Sequence, residues 1–201
     1  MNKAKIGGLI TGFLQLAHIP LSARATRQIE RRFDYNSGFS DWIMGVGFIY
    51  GQRGEPQSGL KIGIGSGGAR GCGPFAIYNA LRLLGFSPDP AVIIRELDYM
   101  GGFNLGGLGG TNPAVMADFL RKTLLVKIDY LPESLDALIA GANVSILLYH
   151  AGGMRLHYVT VVRMADGFQI YNLGGNDVAP RLVESIDEWQ MGVRILAAIV
   201  V

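Results

Sequence analysis

Residues 72–85 read CGPFAIYNALRLLG, and this stretch decides the fold. Pro74 suits the first turn of a helix, because it lacks an N–H that would find no helical partner there. Gly85 suits the position just past the end of that helix. Four apolar residues recur at helical spacing and form one face: Ile77, Ala80, Leu81 and Leu84. The stretch therefore predicts a helix over 74–84 that packs on the core, with Cys72 at its amino end.

Cys72 is the only cysteine in the chain, which excludes an internal disulfide and a cysteine-based zinc cluster. A lone cysteine is usually a small buried hydrophobe. At a helix amino terminus, however, the helix dipole favours the thiolate, which is the nucleophilic form. The flanking Gly71 and Gly73 have no side chains, so we expect substrate to approach the sulfur closely. The position of Cys72 predicts a nucleophile.

Helical patterns dominate the first part of the chain. Residues 22–33 read as a helix capped by Ser22 or Thr26, residues 34–40 as a turn-rich break, and residues 41–50 as a buried apolar run. Further helices are predicted over 90–100, 112–123 and 132–140.

Strand patterns dominate the second half. They cover 124–128, 145–150, 157–164, 168–172 and 193–201, with a hairpin turn at Ala165-Asp166-Gly167. Helices followed by an antiparallel sheet predict the α+β class.

A cysteine nucleophile needs a base, and the base needs an orienting group. The chain has three histidines. His18 lies near the N-terminus, and His150 is read as a structural residue at a strand end. His157 opens the strand that turns at 165–167, so the return strand brings Asn172 beside it. We expect the Asn172 side-chain oxygen to accept from the imidazole and fix its tautomer.

Three segments in this order resemble the papain-like cysteine peptidases: Cys72-Gly73-Pro74-Phe-Ala-Ile-Tyr-Asn79-Ala-Leu, His157-Tyr-Val-Thr-Val-Val and Tyr171-Asn172. The chain is most similar to the bacterial branch that includes the bacteriocin-processing, double-glycine-leader peptidases. Gly110-Thr111-Asn112-Pro113 and the helix over 135–140 also look like that branch. The resemblance covers about residues 60–200.

The resemblance implies a papain-like α+β fold, a helical part carrying the cysteine and an antiparallel sheet carrying the histidine. It implies Cys72 as nucleophile, His157 as general base and acid, and Asn172 as orienting residue. It further implies a peptide or protein substrate, no cofactor and no metal. A narrow cleft, bordered by the glycine loops at 65–71 and 101–110, would suit small residues such as glycine next to the cut.

Ser66 departs from the family pattern. The family usually has a glutamine six residues before the cysteine, where it donates to the oxyanion. Losing one such donor costs about 3 kcal/mol of transition-state stabilisation. We expect Ser66, with the main chain at Gly71 and Gly73, to form the oxyanion site and cleft; Gln52 and Gln57 substitute only if their loop folds back. A catalytically degenerate, peptide-binding module of the same fold is therefore the alternative hypothesis.

Two other glycine patterns are weaker. Gly63-x-Gly65-x-x-Gly68 matches a dinucleotide fingerprint but lacks the strand and the directly following helix that such a site needs. Gly67-Gly68-Ala69-Arg70-Gly71 resembles the oxyanion loop of patatin-like lipid acyl hydrolases, and Asp166-Gly167 resembles their acidic dipeptide. The serine elbow of that family is missing, because the corresponding region at 101–107 contains no serine. A patatin-like fragment stays a further alternative.

Composition sets the outer limits. The 201 residues are 49 % hydrophobic and 17 % charged, which fits one globular domain, here divided into an N-terminal extension (1–60) that packs on or occludes the main domain (61–201). The net charge of +2 is too small to favour nucleic acid. No run reaches the roughly 18–20 apolar residues of a membrane span. Lys3, Lys5 and the apolar run 6–21 resemble a signal peptide, but Gln15, His18 and Pro20 interrupt it, so we expect a cytoplasmic protein rather than a secreted one.

Overall fold

A computed structural model describes residues 21–107, 109–122, 124–130, 134–139, 141–153, 155–190 and 194–201. The signal-like segment with His18, and the ends of the predicted elements at Thr123, Pro132, Ala140 and Val193, lie outside these residues. The helices are α1 (Ala23–Val46), α2 (Gly67–Arg70), α3 (Cys72–Leu83), α4 (Pro90–Tyr99), α5 (Pro113–Arg121), α6 (Leu135–Ile139) and α7 (Ile186–Gln190). The strands are β1 (Lys61–Ile62), β2 (Gly65–Ser66), β3 (Lys127–Tyr130), β4 (Val144–His150), β5 (Leu156–Met164), β6 (Gly167–Tyr171), β7 (Arg181–Val183) and β8 (Arg194–Val200).

The main sheet has the strand order β3-β8-β4-β5-β6-β7, and its neighbouring strands are all antiparallel. Helix α3 packs across β5, where the Thr160 hydroxyl donates to the Ala76 carbonyl at 2.8 Å. One core lies between this face and α3, α4 and α5, and a second core lies on the opposite face with α6 and α7. Helices mostly precede an antiparallel sheet, so the predicted α+β class is confirmed.

Helix α3 follows the prediction, with a start two residues earlier. Its first residue is Cys72, so the thiol is carried by the first turn itself. At its end Gly85 adopts φ 85°, and the N–H groups of Gly85 and Phe86 donate to the Arg82 and Leu81 carbonyls. That pattern is a glycine helix stop, as the sequence predicts.

The predicted break at 34–40 is wrong, because α1 continues through it to Val46. The polar residues that suggested a turn find tertiary partners instead. The Asn36 side chain bonds both main-chain groups of Lys61, and the Ser40 hydroxyl donates to Asp89 at 2.6 Å. Ser22 caps the start of the helix, where its hydroxyl accepts from the Ala25 N–H at 3.2 Å. Partners distant in the sequence therefore overrule a local turn signal.

The described part of the extension, 21–60, is built into the main domain. Ile43 and Ile49 belong to the core beside α3. Asn79, fully buried on α3, accepts from the Ile49 N–H at 2.9 Å and donates to the Ile49 carbonyl at 2.7 Å. The Arg53 N–H donates to the Gly175 carbonyl at 2.7 Å, so the loop after α1 also contacts the segment after β6.

The strand predictions differ from the structure in their boundaries, and some elements were not predicted. The predicted strand over 124–128 lies at Lys127–Tyr130, and the sequence patterns missed β7, α7 and the short β1–β2 hairpin. The 165–166 turn joins β5 to β6 as predicted, with Met164 opposite Gly167. Among the described residues, no helix combines the length and the apolar character needed to cross a membrane.

Candidate active site

A cavity of about 220 Å³ lies between the amino end of α3, the loop before α5 and the main sheet. Cys72 contributes to its wall from α3, Thr111 and Asn112 from the loop, and Leu148 and Tyr158 from the sheet. Gly109 and Gly110 of the glycine loop at 101–110 line it as well, whereas the other loop predicted to border a cleft, 65–71, does not. The cavity is the place where the thiol can meet a ligand.

The Cys72 sulfur lies against the main chain of the histidine strand. The thiol is buried, with 8 % of the residue exposed. Burial raises the pKa of the Cys72 thiol, while the backbone N–H groups of Tyr158, Gly73 and Cys72 and the charge of Arg70 act to lower that pKa. Tyr158 directly follows His157, so the sulfur contacts the residue next to the predicted base in the sequence.

His157 is held by Asn172, but through a different oxygen than expected. The Nε2 atom of His157 lies 2.5 Å from the main-chain carbonyl oxygen of Asn172. The expectation of a side-chain contact is therefore corrected. Asn172 adopts φ 60°, and its side chain turns under β5 instead, where its amide donates to the Tyr158 carbonyl at 3.5 Å. The two residues are neighbours as the hairpin predicts.

The Asn172 contact fixes the imidazole tautomer. A carbonyl oxygen only accepts, so Nε2 carries the proton, and in the neutral ring Nδ1 carries the lone pair of a base. Burial lowers the pKa of His157, while the Asn172 carbonyl and the nearby Asp177 carboxylate act to raise it. The lowered pKa favours the neutral imidazole, with Nδ1 as its basic atom.

The imidazole and the thiol start from opposite faces of the sheet. The His157 ring packs edge-on against Tyr149, which lies opposite it on β4, at 5.5 Å between ring centres. Tyr149 belongs to the core on the face away from α3, whereas Tyr158 belongs to the core that contains Cys72. Within the described chain, no hydrogen bond joins the Cys72 sulfur to the His157 ring. The thiol and the imidazole therefore lie on opposite faces of β5, with the Tyr158 main chain between them.

The three predicted cleft residues do not line the cavity. Ser66 is exposed and precedes α2 without capping it. Gly71 and Gly73 are buried in close packing instead: a Cβ on Gly71 would lie 2.1 Å from the Phe75 ring, and one on Gly73 would lie 2.3 Å from the Thr111 hydroxyl. Their missing side chains let neighbouring groups pack against the start of α3.

The loop that carries Gln52 and Gln57 folds back towards α2. This folding is what either glutamine would need in order to replace the family's oxyanion glutamine. The Gln52 amide donates to the Gly68 carbonyl at 2.9 Å, and the Gln57 amide donates to the Gly51 carbonyl at 2.6 Å. The Gln52 amide is thus occupied by α2 and the Gln57 amide by its own loop, and neither residue lines the cavity.

Thr111 is a site residue to which the sequence motif containing it assigned no role. It is 4 % exposed, and its hydroxyl has no hydrogen-bond partner within the described chain. Its carbonyl accepts from the Tyr158 hydroxyl at 2.7 Å, which fixes it beside the start of α3. Only its position just before the Asn112 cap of α5 hinted at a fixed place.

Three further polar residues, His150, Asn79 and Asp177, take structural roles. His150 bonds the Gly153 carbonyl at 2.5 Å and closes the turn after β4. Asn79 bonds Ile49 as described above, and Asp177 accepts from the Gly174 N–H at 2.5 Å. Across the described ranges, no group of three or more histidine, cysteine, aspartate or glutamate side chains is placed to hold a metal ion.

Comparison with known proteins finds no family model that matches the chain and no curated protein with significant similarity to it.

Proposed function

We propose that the chain is a papain-like cysteine hydrolase, or an acyl-transferring relative, that attacks a peptide or amide carbonyl through Cys72. The observation that carries the proposal is the His157 tautomer. Its Nε2–H donates to the Asn172 carbonyl, which leaves Nδ1 available as a base. His157 directly precedes Tyr158, whose backbone N–H lies against the Cys72 sulfur. A nucleophile, a base and an orienting group are the parts that such chemistry needs.

The proton balance of the resting site favours a neutral pair, contrary to the thiolate that the helix start predicts. The pKa of Cys72 is raised and that of His157 is lowered, in both cases chiefly by burial. For attack, the His157 ring must turn from the face of Tyr149 towards the thiol; Nδ1 then takes the thiol proton as the S–C bond forms. The C–N bond then breaks, and the same proton passes to the leaving amine. Water or an amine attacks the resulting thioester and regenerates the thiol, with His157 again transferring the proton.

The start of α3 supplies donors for the oxyanion. The Cys72 and Gly73 N–H groups already face the sulfur, where a tetrahedral intermediate would form. The Thr111 hydroxyl, buried beside Gly73 and without a partner among the described residues, is a further donor for this role. These groups take the place of the side-chain donor that is missing at Ser66, since preorganised donors account for much of such catalysis.

The papain-like assignment, closest to the bacteriocin-processing branch, rests on element order. A helix that begins with the nucleophile is followed by an antiparallel sheet. The base opens one strand of that sheet, and the orienting residue follows the next.

A peptide-binding module without catalysis is the second candidate. The missing hydrogen bond between Cys72 and His157, and the exposed position of Ser66 outside the cavity, favour it.

Acylation by a thioester separates the two candidates. The wild-type protein is mixed at pH 7 with the benzyl thioester of N-acetylleucine, and intact mass and released thiol are followed. We expect an acyl adduct on Cys72, and none in Cys72→Ala. Replacing His157 by Ala should slow acylation about 10²-fold or more, whereas the matched variant His150→Ala should acylate at the wild-type rate. Equal rates in all histidine variants, or no adduct at all, would refute the catalytic proposal.

A further inference from the structure

The cavity beside Cys72 is apolar and larger than a glycine substrate requires. Apolar side chains form most of its wall, among them Leu105, Pro113, Leu148, Leu196 and Ala197. No described residue in the wall is acidic, basic or a histidine. An apolar cavity of about 150 Å³ accepts a benzene ring, and this cavity measures about 220 Å³. A branched aliphatic or aromatic group therefore fits next to the sulfur.

Leu105 at the cavity mouth carries an independent signal. It is 76 % exposed, and it adopts the left-handed conformation with φ 48° and ψ 44°. That conformation is unfavourable for leucine and is tolerated by glycine and asparagine. Neither burial nor backbone preference explains a leucine at this position. A ligand-binding role explains both, because strained and exposed apolar residues concentrate at binding sites.

The rim around Leu105 is apolar as well. Leu156, 48 % exposed, lines the cavity from the start of β5. Ile64, 72 % exposed, is fixed beside the same loop, where its N–H donates to the Gly106 carbonyl at 2.9 Å. Apolar side chains thus continue from the cavity wall to the surrounding surface.

We infer that the substrate carries a bulky, uncharged, apolar group close to the carbonyl that Cys72 attacks, and that this group occupies the cavity. The inference rests on the proposed function and names its substrate class. It replaces the small residue that the resemblance implied next to the cut. The group is either a compact side chain of a peptide or the chain of an acyl donor, and both sources share the same chemistry at the cavity.

Alkylation of Cys72 tests the selectivity of the cavity. Because the chain has one cysteine, each adduct reports this site. Rates with iodoacetamide, N-benzyl iodoacetamide, N-octyl iodoacetamide and iodoacetate are each divided by the rate with free N-acetylcysteine. We expect the benzyl reagent to be preferred over iodoacetamide about tenfold or more. A preference for octyl over benzyl assigns an acyl chain, and the reverse assigns a side chain. Normalised rates within about twofold of one another, or a preference for iodoacetate, would overturn the inference.

Leu105→Asn provides the matched variant. It removes the apolar rim and relieves the backbone, so we expect the benzyl preference to fall while the midpoint of thermal unfolding rises by about 2–4 °C. Leu182→Asn, at a side chain 69 % exposed on β7 and away from the cavity, should keep the wild-type preference. An unchanged benzyl preference in Leu105→Asn would contradict the assigned role of Leu105.

A binding measurement keeps the inference separate from catalysis. In Cys72→Ala protein, N-acetylphenylalaninamide should raise the unfolding midpoint by mass action, whereas N-acetylglycinamide at the same concentration should not. Equal effects of the two amides would overturn the apolar occupant even if Cys72 is catalytic. Conversely, the thioester assay can show no dependence on His157 while the alkylation rates still favour apolar reagents. That result would overturn the proposed function and leave the apolar occupant standing.

Discussion

Replacing Asn79 by Ala tests whether residues 21–60 are an integral part of the fold or a removable segment. The Asn79 side chain is fully buried on α3 and satisfies both the N–H and the C=O of Ile49. Alanine would leave both main-chain groups buried without a partner. Each such group costs about 1–3 kcal/mol, so the free energy of unfolding should fall by about 4 kcal/mol. That is a large part of the about 5–15 kcal/mol that typical domains have.

Urea unfolding measures the loss. With a slope of about 2.5 kcal/mol per molar urea, the midpoint should fall by about 1.5 M. Trp42 in α1 and Trp189 in α7 report the two parts of the chain when each is retained singly, in Trp189→Phe and Trp42→Phe backgrounds. We expect both signals to change at one urea concentration, because Ile49 belongs to the core beside α3.

The exposed Asn143 is the control position, and Asn143→Ala should change stability by less than about 0.5 kcal/mol. The reasoning fails if Asn79→Ala loses less than about 1 kcal/mol, since a pair of orphaned groups costs more than that. It also fails if Trp42 changes at lower urea than Trp189 in the otherwise wild-type chain. That result would make the N-terminal region a separately unfolding segment.

Three further predictions address the site. Burial lowers the pKa of His157 in the folded state, so the unfolded chain binds more protons just below pH 6.5. The free energy of unfolding should therefore fall on acidification, with a slope of at most about 1.4 kcal/mol per pH unit. Urea unfolding between pH 7.5 and 5 should show this loss reduced in His157→Gln and kept in His150→Gln. Thr111→Val should raise stability by removing an unpartnered buried hydroxyl, and should slow thioester acylation of Cys72 about 10²-fold if that hydroxyl binds the oxyanion; a faster or unchanged acylation rate excludes that role. Gly73→Ala should destabilise by about 1–3 kcal/mol because the new Cβ meets Thr111, whereas Gly38→Ala, in open space on α1, should stabilise by up to about 1 kcal/mol in the same urea assay.

Local signals predicted the elements that local forces determine. The start and stop of α3 depend on Pro74 and Gly85, which act on their own backbone, and the β5–β6 hairpin depends on a short turn. The proximity of His157 and Asn172 followed from that hairpin alone. Antiparallel pairing across a two-residue turn leaves little freedom for the residues near the open ends.

Tertiary partners determined what the sequence did not predict. Asn36 and Ser40 are typical turn residues in the sequence. In the structure they form hydrogen bonds with Lys61 and Asp89, which are distant in the sequence. The oxygen that Asn172 offers to His157 depends on a backbone φ of 60°, which no pattern indicates. The cavity and the unpartnered hydroxyl of Thr111 arise only where the helices pack on the sheet.

The hydrogen bond from Arg53 to Gly175 has a consequence for the order in which the molecule is assembled. The donor lies in the loop after α1 and the acceptor lies after β6, so helices α3 to α5 and strands β3 to β6 lie between them in the sequence. Such long-range contacts slow folding, because the loop between them must close before they form. We therefore expect the loop after α1 to remain open to proteases until the segment after β6 is in place, whereas α1 itself can dock earlier through its contacts with Lys61 and Asp89. Closing this contact would fix the loop after α1 and the segment after Asn172 together, so that the main chain holding His157 is completed late in folding.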